Sequence, residues 1–385
     1  MTDFSKNHQN CVKNDFYNFY DKVTIHFQSN DSRFLNFVNR FLWFFRSDTI
    51  SSDTLLEASV IKTNSLSKIL QLVYREDLKR IGWDTYLGEK EIIYLKKSFL
   101  FDTLFIIKLD NQKLSVTALY QEKVVKNLFR GILNFILNKN FKEEFYQNLL
   151  RETIYFPLFT LLEKFGIYLL HGVCLEYKNE GVAFLGLNGV GKTSLALHLM
   201  LKYNFSLIAE NFILYDNSQT YSFPEVMRIP SSCLHLIPKK KQKNLPKVHG
   251  KYHLAFNNKD LLKIEGTNAI KMIFLMHGNA TQPFIKKIGT QETFIKALAM
   301  DTYLHEFHNY SIYSLLALLS SSKMTYPDLI NRNKSYRILF NECKCFDLFA
   351  SKDVEATARF IDSFINRDEG QLPLPDGKGL LADIR

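Results

Sequence analysis

Eight consecutive residues, Gly186-Leu187-Asn188-Gly189-Val190-Gly191-Lys192-Thr193, carry the densest chemistry in the chain. They fill every fixed position of G-x-x-x-x-G-K-[ST], the pattern that cradles phosphates. Gly186, Gly189 and Gly191 have no Cβ, so the backbone can turn to positive φ and bring successive N–H groups against phosphate oxygens. Asn188, Val190 and Ser194 belong to the same cradle. Lys192 can place its ammonium on β- and γ-phosphates, and the Thr193 hydroxyl can ligate Mg²⁺. A helix opening near Gly191 would aim its positive dipole end at the same anion.

Such a loop works only between a buried strand and a helix. Val182-Ala183-Phe184-Leu185 reads as the strand, and Ser194 to Leu201 reads as the helix. Before them, Ile167 to Tyr177 predicts a strand carrying His171, followed by a turn at Lys178 to Gly181. After them, Phe205 to Ala209 predicts a buried strand ending at Glu210-Asn211. That ordering puts an acid at a strand end one βαβ crossover beyond Lys192, where ligand sites of parallel sheets lie. Glu210 could accept a proton from an attacking hydroxyl or ligate a metal, and His171 could hydrogen-bond the acid or the phosphate. From the residues alone, a core histidine and a structural acid remain open alternatives.

The chain has 385 residues, enough for two domains; 46% hydrophobic and 23% charged residues exclude a chain disordered over most of its length. Its longest apolar segments, Thr153 to Leu162 and Ile312 to Leu319, fall short of the ~18 residues a membrane span needs. The first residues, MTDFSKNHQN, lack the basic start and apolar core of a secretory signal, so a cytoplasmic location is expected. Five cysteines, Cys11, Cys174, Cys233, Cys343 and Cys345, do not form a disulfide framework. A net charge of +10 favours anionic ligands. The basic residues are scattered except for Lys239 to Lys243, which reads as a solvated loop between Pro238 and Pro246, and nucleic acid is disfavoured as a partner. Guanine specificity is disfavoured too, because Asn258-Lys259-Asp260 is one residue short of Asn-Lys-x-Asp. Self-association is left open.

Residues 1–125 read as a small α+β domain. It has a polar lead-in to about residue 20, a strand at Val23 to Phe27 and a helix with Phe34, Phe37, Val38 and Phe41 at helical spacing. Strands follow at Ala58 to Lys62, Glu91 to Leu95, Thr103 to Leu109 and Leu114 to Tyr120. Residues 126–366 read as the phosphate-binding α/β domain. Its expected elements include helices over 125–150, 290–304 and 310–319, a strand at Ala269 to His277, late strands over Arg337 to Leu348 and a closing helix at Val354 to Ile365. Residues 367–385 are expected to form a mobile tail.

Three segments in order, Leu170-His171-Gly172-Val173, then Gly181 to Leu197 through the loop, then Leu207-Ile208-Ala209-Glu210-Asn211, resemble the catalytic domain of the HPr kinase/phosphorylase family over roughly residues 127–300. Phe223-Pro224 with Arg228 resembles a segment that follows the acidic strand in relatives of that family. The resemblance implies a P-loop kinase domain similar to that of phosphoenolpyruvate carboxykinase, use of ATP with Mg²⁺, and transfer of the γ-phosphate to a hydroxyl, expected to be serine, of a protein, peptide or small molecule. It implies catalytic roles for His171, Lys192, Glu210 and Arg228, and metal ligation by Thr193, Glu210 and Asn211. Where the family carries two adjacent aspartates, this chain has Glu210-Asn211, and it lacks the family's Glu-x-Arg-Gly-x-Gly signature. A nucleotide-binding partner without phosphoryl transfer is therefore the alternative expectation.

Overall fold

The computed structural model describes residues 12–49, 52–65, 77–82, 84–98, 100–110, 113–123, 141–243, 245–248, 251–254, 269–300 and 327–366. Two large mixed sheets dominate it. The first has nine strands in the order β3-β1-β2-β4-β9-β8-β7-β6-β5. They are β1 (Lys13–Phe19), β2 (Val23–Ser29), β3 (Arg46–Ser47), β4 (Leu55–Lys62), β5 (Lys79–Gly82), β6 (Thr85–Leu87), β7 (Glu91–Lys97), β8 (Phe101–Asp110) and β9 (Lys113–Glu122), with helix α1 (Ser32–Leu42) after β2. Alternation is clearest in β9, which buries Leu114, Val116, Ala118 and Tyr120 while the residues between them are less buried. The β8–β9 hairpin pairs Asp110 with Lys113, between the two strands expected from the sequence.

One expectation fails at the start. The lead-in to residue 20 contains a full strand, β1, which buries Asp15, Tyr17 and Phe19 against β2. Its alternation is masked in sequence because a buried aspartate stands on the inward face and an aromatic, Phe16, on the other. Phe16 stacks on His26 across the pair instead of joining the core.

A helix α2 (Phe141–Leu150), a π-helical turn Arg151–Tyr155 and α3 (Phe156–Glu163) lead into the second sheet. Its seven strands run β13-β12-β10-β11-β17-β19-β18. They are β10 (Tyr168–Tyr177), β11 (Glu180–Leu185), β12 (Ser206–Tyr215), β13 (Thr220–Tyr221), β17 (Ile270–Ala280), β18 (Phe284–Lys287) and β19 (Lys344–Ser351). A small third sheet holds β14 (Met227–Ile229), β15 (Lys247–Val248) and β16 (Lys251–Leu254). Strands β11, β17 and β19 are parallel, whereas β10 is antiparallel to both β11 and β12.

Helices α4 (Lys192–Lys202) and α7 (Val354–Ile365) cover one face of this sheet, packing Leu195, Leu199 and Ile361 on Val182, Phe184, Phe274 and Leu348. On the other face, α3, α5 (Thr290–Met300) and α6 (Pro327–Glu342) share one continuous core with the nine-stranded sheet. Phe19 and Phe45 there meet Phe223, and the Tyr20 hydroxyl donates to Ser222 O at 2.6 Å. Among the described residues no helix is long and apolar enough to cross a membrane.

Two more expectations need correction. Arg337 to Glu342 is the end of α6, not a strand, because Tyr336, Leu339 and Phe340 are buried at helical spacing; the late strand is β19 alone. Glu210 is not at a strand end: β12 continues to Tyr215, and β10 lies between β11 and β12. The reason is burial on both faces, which keeps all ten residues of β12 inside and nine of them paired with β10. The expected helix over 310–319, the residues 125–140 of the helical region and the tail 367–385 lie outside the described residues.

Candidate active site

The loop leaves β11 and enters α4 as the motif requires. Gly189 and Gly191 take φ values of 86° and 104°, conformations that L side chains rarely adopt, and Gly191 caps α4. Gly186 has a different constraint: a Cβ there would stand 2.9 Å from Met276 O on the neighbouring strand. Lys192, the first residue of α4, folds back over the loop and donates to Gly186 O at 2.6 Å and Leu187 O at 3.1 Å. Burial lowers its proton affinity, bringing the pKa to about 8; Glu210 opposes this and Arg228 reinforces it. Asn188, Gly189 and Leu187 stay exposed, so the loop's crest is open to solvent.

Glu210 faces this lysine from β12 and is 1% exposed. Its Oε1 accepts the Thr193 hydroxyl at 2.8 Å, while its Oε2 has no hydrogen-bond partner. Burial raises the carboxyl pKa to about 7, against the lowering effects of Thr193, Arg228 and Lys192; Glu225 adds to the rise. A buried carboxylate with one open oxygen beside a hydroxyl is an unfinished arrangement.

His171 is 4% exposed on β10, two residues from Val173, which pairs with Glu210. Burial lowers its pKa to about 3, and the positive charges of Lys192, Arg228 and Arg151 push the same way. It is neutral at physiological pH and acts as a hydrogen-bonding group rather than a cation. Gly172 beside it permits close strand packing, since a Cβ would meet Phe184 O at 2.6 Å and Leu185 Cδ2 at 2.7 Å.

Asn211 has a left-handed backbone, φ 65°, in the middle of β12. Its side chain is held at both ends: Nδ2 donates to Glu225 Oε2, and Oδ1 accepts from Arg228 Nη2 at 3.1 Å. Arg228 on β14 thereby comes beside Lys192, Glu210 and His171. The structure thus brings together His171, Lys192, Thr193, Glu210, Asn211 and Arg228 around one loop. A Cβ added at Gly278 would lie 3.7 Å from Val190 Cγ2, and the Ser194 carbonyl lies 2.9 Å from His198 Nδ1.

Sequence reading missed three groups. Arg151 reaches His171 and Glu225 electrostatically from the π-helical turn, and Lys251 on β16 reaches Glu210 and Arg228. Glu225 is 2% exposed, and burial raises its pKa against the opposing pull of Arg228, Arg151 and Asn211. Only Glu225 had a signal, as a carboxylate between Pro224 and Arg228. Arg151 and Lys251 stand in segments whose sequence says nothing of the loop. Among the described residues no group of three His, Cys, Asp or Glu side chains could hold a metal ion. The Thr193 hydroxyl could hold a Mg²⁺ shared with phosphate oxygens, with the open Glu210 oxygen beside it. Lys239–Gln242 forms one helical turn, with Lys239 and Lys240 exposed and Lys241 and Gln242 half-buried.

No family model matches the chain, and no curated protein matches it. Among solved structures, the Hpr(Ser) kinase/phosphatase from Coxiella burnetii is similar over 36% of this chain and 97% of that chain, at 13% identity and a TM-score of 0.20.

Proposed function

We propose that the chain binds ATP with Mg²⁺ at residues 186–194 and transfers the γ-phosphate to a hydroxyl of a protein, peptide or small molecule. The observation that carries the reading is the Thr193–Glu210 contact beside Lys192, which sets a buried acid on the hydroxyl of a phosphate-binding loop. Lys192 would exchange the Gly186 and Leu187 carbonyls for phosphate oxygens, and the Gly189 and Gly191 turns would turn N–H groups toward them. Thr193 would hold the metal, which when bound would neutralise charge on the phosphates, and Glu210 would stay free as the proton acceptor. Asn211, whose amide is committed to Arg228 and Glu225, positions rather than ligates.

In the transfer step the acceptor oxygen forms a bond to the γ-phosphorus as the bond from that phosphorus to the bridging oxygen breaks, and ADP leaves with the electron pair. The hydroxyl proton passes to Glu210, whose affinity near neutrality suits a proton acceptor at physiological pH. Neutral His171 would hydrogen-bond a phosphate or the acid, and Arg228 would stabilise charge on the moving phosphoryl group. Incubation with γ-labelled ATP and a panel of serine-bearing acceptors tests this. Label transfer that disappears in both Lys192→Met and Glu210→Gln supports it, and no transfer to any acceptor removes it.

One observation favours a second reading, nucleotide binding without transfer. Among the described residues a single carboxylate touches the loop hydroxyl, and the next position is an amide engaged elsewhere. That reading predicts thermal stabilisation by ATP with no labelled product.

A further inference from the structure

The segment after β13 is strapped onto β12. Phe223 N donates to Ile208 O at 3.0 Å, Glu210 N donates to Phe223 O at 3.3 Å, and Glu225 N donates to Phe223 O at 2.9 Å. This strap carries Glu225 inward until its carboxylate accepts the Asn211 amide, with the Tyr155 hydroxyl alongside. Asn211 can receive it because its positive φ turns the side chain out of the regular strand alternation. The opposite end of the same amide accepts Arg228. A fully buried carboxylate is costly unless cations and donors surround it, and here two guanidiniums, Arg228 and Arg151, supply the charge. Neither arginine is fully buried; Arg228 acts on Lys192, Glu210 and His171, and Arg151 acts on His171.

We propose that Glu225 is a positioning residue for the terminal phosphate: through Asn211 it holds Arg228 where a γ-phosphate would lie, and so gives the site its preference for a nucleoside triphosphate over a diphosphate. The inference rests on the nucleotide-binding half of the reading above and does not require transfer. Planar guanidinium recognition depends on a fixed orientation, which a single amide contact without its own anchor would not provide. The second buried carboxylate of the site thus comes from a different segment of chain, and it acts on the phosphate through a neighbour instead of touching it.

Calorimetric titration of the full chain with ATP·Mg²⁺ and with ADP·Mg²⁺ tests this. Glu225→Gln is expected to weaken ATP binding about tenfold or more while ADP binding stays within about threefold, the loss of an oriented charge-assisted contact. Arg228→Gln should give the same pattern. Asn211→Gly, which suits the positive φ and removes only the bridge, should match both. The double variant Glu225→Gln with Asn211→Gly should lose no more than either single change, since the two act in series. A folded Glu225→Gln protein with the wild-type ATP-to-ADP ratio overturns the proposal, as do losses that multiply in the double variant. If Glu225→Gln does not fold, Asn211→Gly alone decides by the same ratio. Wild-type protein that binds both nucleotides but transfers nothing removes the kinase reading and leaves the Glu225 measurement intact. Wild-type protein that binds neither removes both.

Discussion

Two buried carboxylates, Asp31 and Glu210, lie in the two large-sheet regions and are treated in opposite ways. Asp31 caps α1 and accepts three donors: the Arg33 N–H at 2.9 Å, the Tyr146 hydroxyl at 2.6 Å and the Tyr120 hydroxyl. Burial opposes its charge, yet these hydrogen bonds outweigh burial and hold the carboxyl below the usual range. Glu210 has one donor, an open oxygen and a pKa pushed by burial to about 7. Nearby, Glu152 repeats the Asp31 pattern, taking Tyr94 and Lys96 on its two oxygens. A satisfied buried network fixes structure, whereas a buried group left short of partners keeps the capacity to take a further one. Asp31 and Glu152 are of the first kind and Glu210 is of the second.

The largest expected effect breaks the satisfied side. Asp31→Ala removes a helix cap and strands two buried tyrosine hydroxyls, so it should cost about 3 kcal/mol of stability in urea titrations. ATP affinity should stay near wild type, because the change lies in the other sheet. The sign with pH is fixed by the lowered carboxyl pKa. Asp31's contribution is present above the unfolded carboxylate range and fades as pH falls through the folded value, so the gap between variant and wild type should close in acid. A gap that persists at low pH would show that packing, not the carboxylate network, holds the cap.

Glu210→Gln should do the reverse. Its folded pKa of about 7 stands above the unfolded value of 4.5, so the folded state binds the proton more tightly. Stability from this group is therefore full below the unfolded pKa and is lost as pH rises through about 7. Removing the charge should raise stability at pH 8 by roughly 1 to 3 kcal/mol, and the gain should vanish toward pH 4. Phosphoryl transfer should be lost in the same variant. A Glu210→Gln protein less stable than wild type at pH 8 would place Glu210 with Asp31 as a structural acid and erase the contrast.

The two regions also differ in how far their sequences could be read. The loop motif is contiguous, so its place between β11 and α4 followed directly from residues 181–201. His171 and Glu210 were found because each lies within two elements of the loop. Glu225, Arg151 and Lys251 were not, because the strap across β12, the π-helical turn and the third sheet bring distant chain together through backbone contacts that no local pattern encodes. In the nine-stranded sheet, β4, β8 and β9 were legible from alternation and β7 from its apolar β-branched run. Strand β1 was hidden because Asp15, buried to accept Asn39 Nδ2 at 3.0 Å and Arg46 Nη2 at 3.0 Å, reads as a surface residue. The P-loop strand order was equally hidden, since nothing local says that β10 separates β11 from β12.

The smallest expected effect probes how the satisfied network divides its load. Tyr146→Phe removes one hydroxyl from Asp31 Oδ2, which still accepts Tyr120, while Oδ1 keeps the Arg33 N–H. The ring remains packed against Phe34 and Phe37, so no cavity forms. The cost should be about 1 kcal/mol, the net value of one hydrogen bond to a charged acceptor with partial compensation. Pairing it with Tyr120→Phe should cost more than the sum, because the second loss leaves Oδ2 buried without a donor, in the state that Glu210 Oε2 already occupies. Denaturant midpoints of the two single variants and the double variant measure that coupling. Simple additivity would mean that water reaches Asp31 when either hydroxyl is removed, and the difference between the two carboxylates would then be one of solvent access rather than of designed partners.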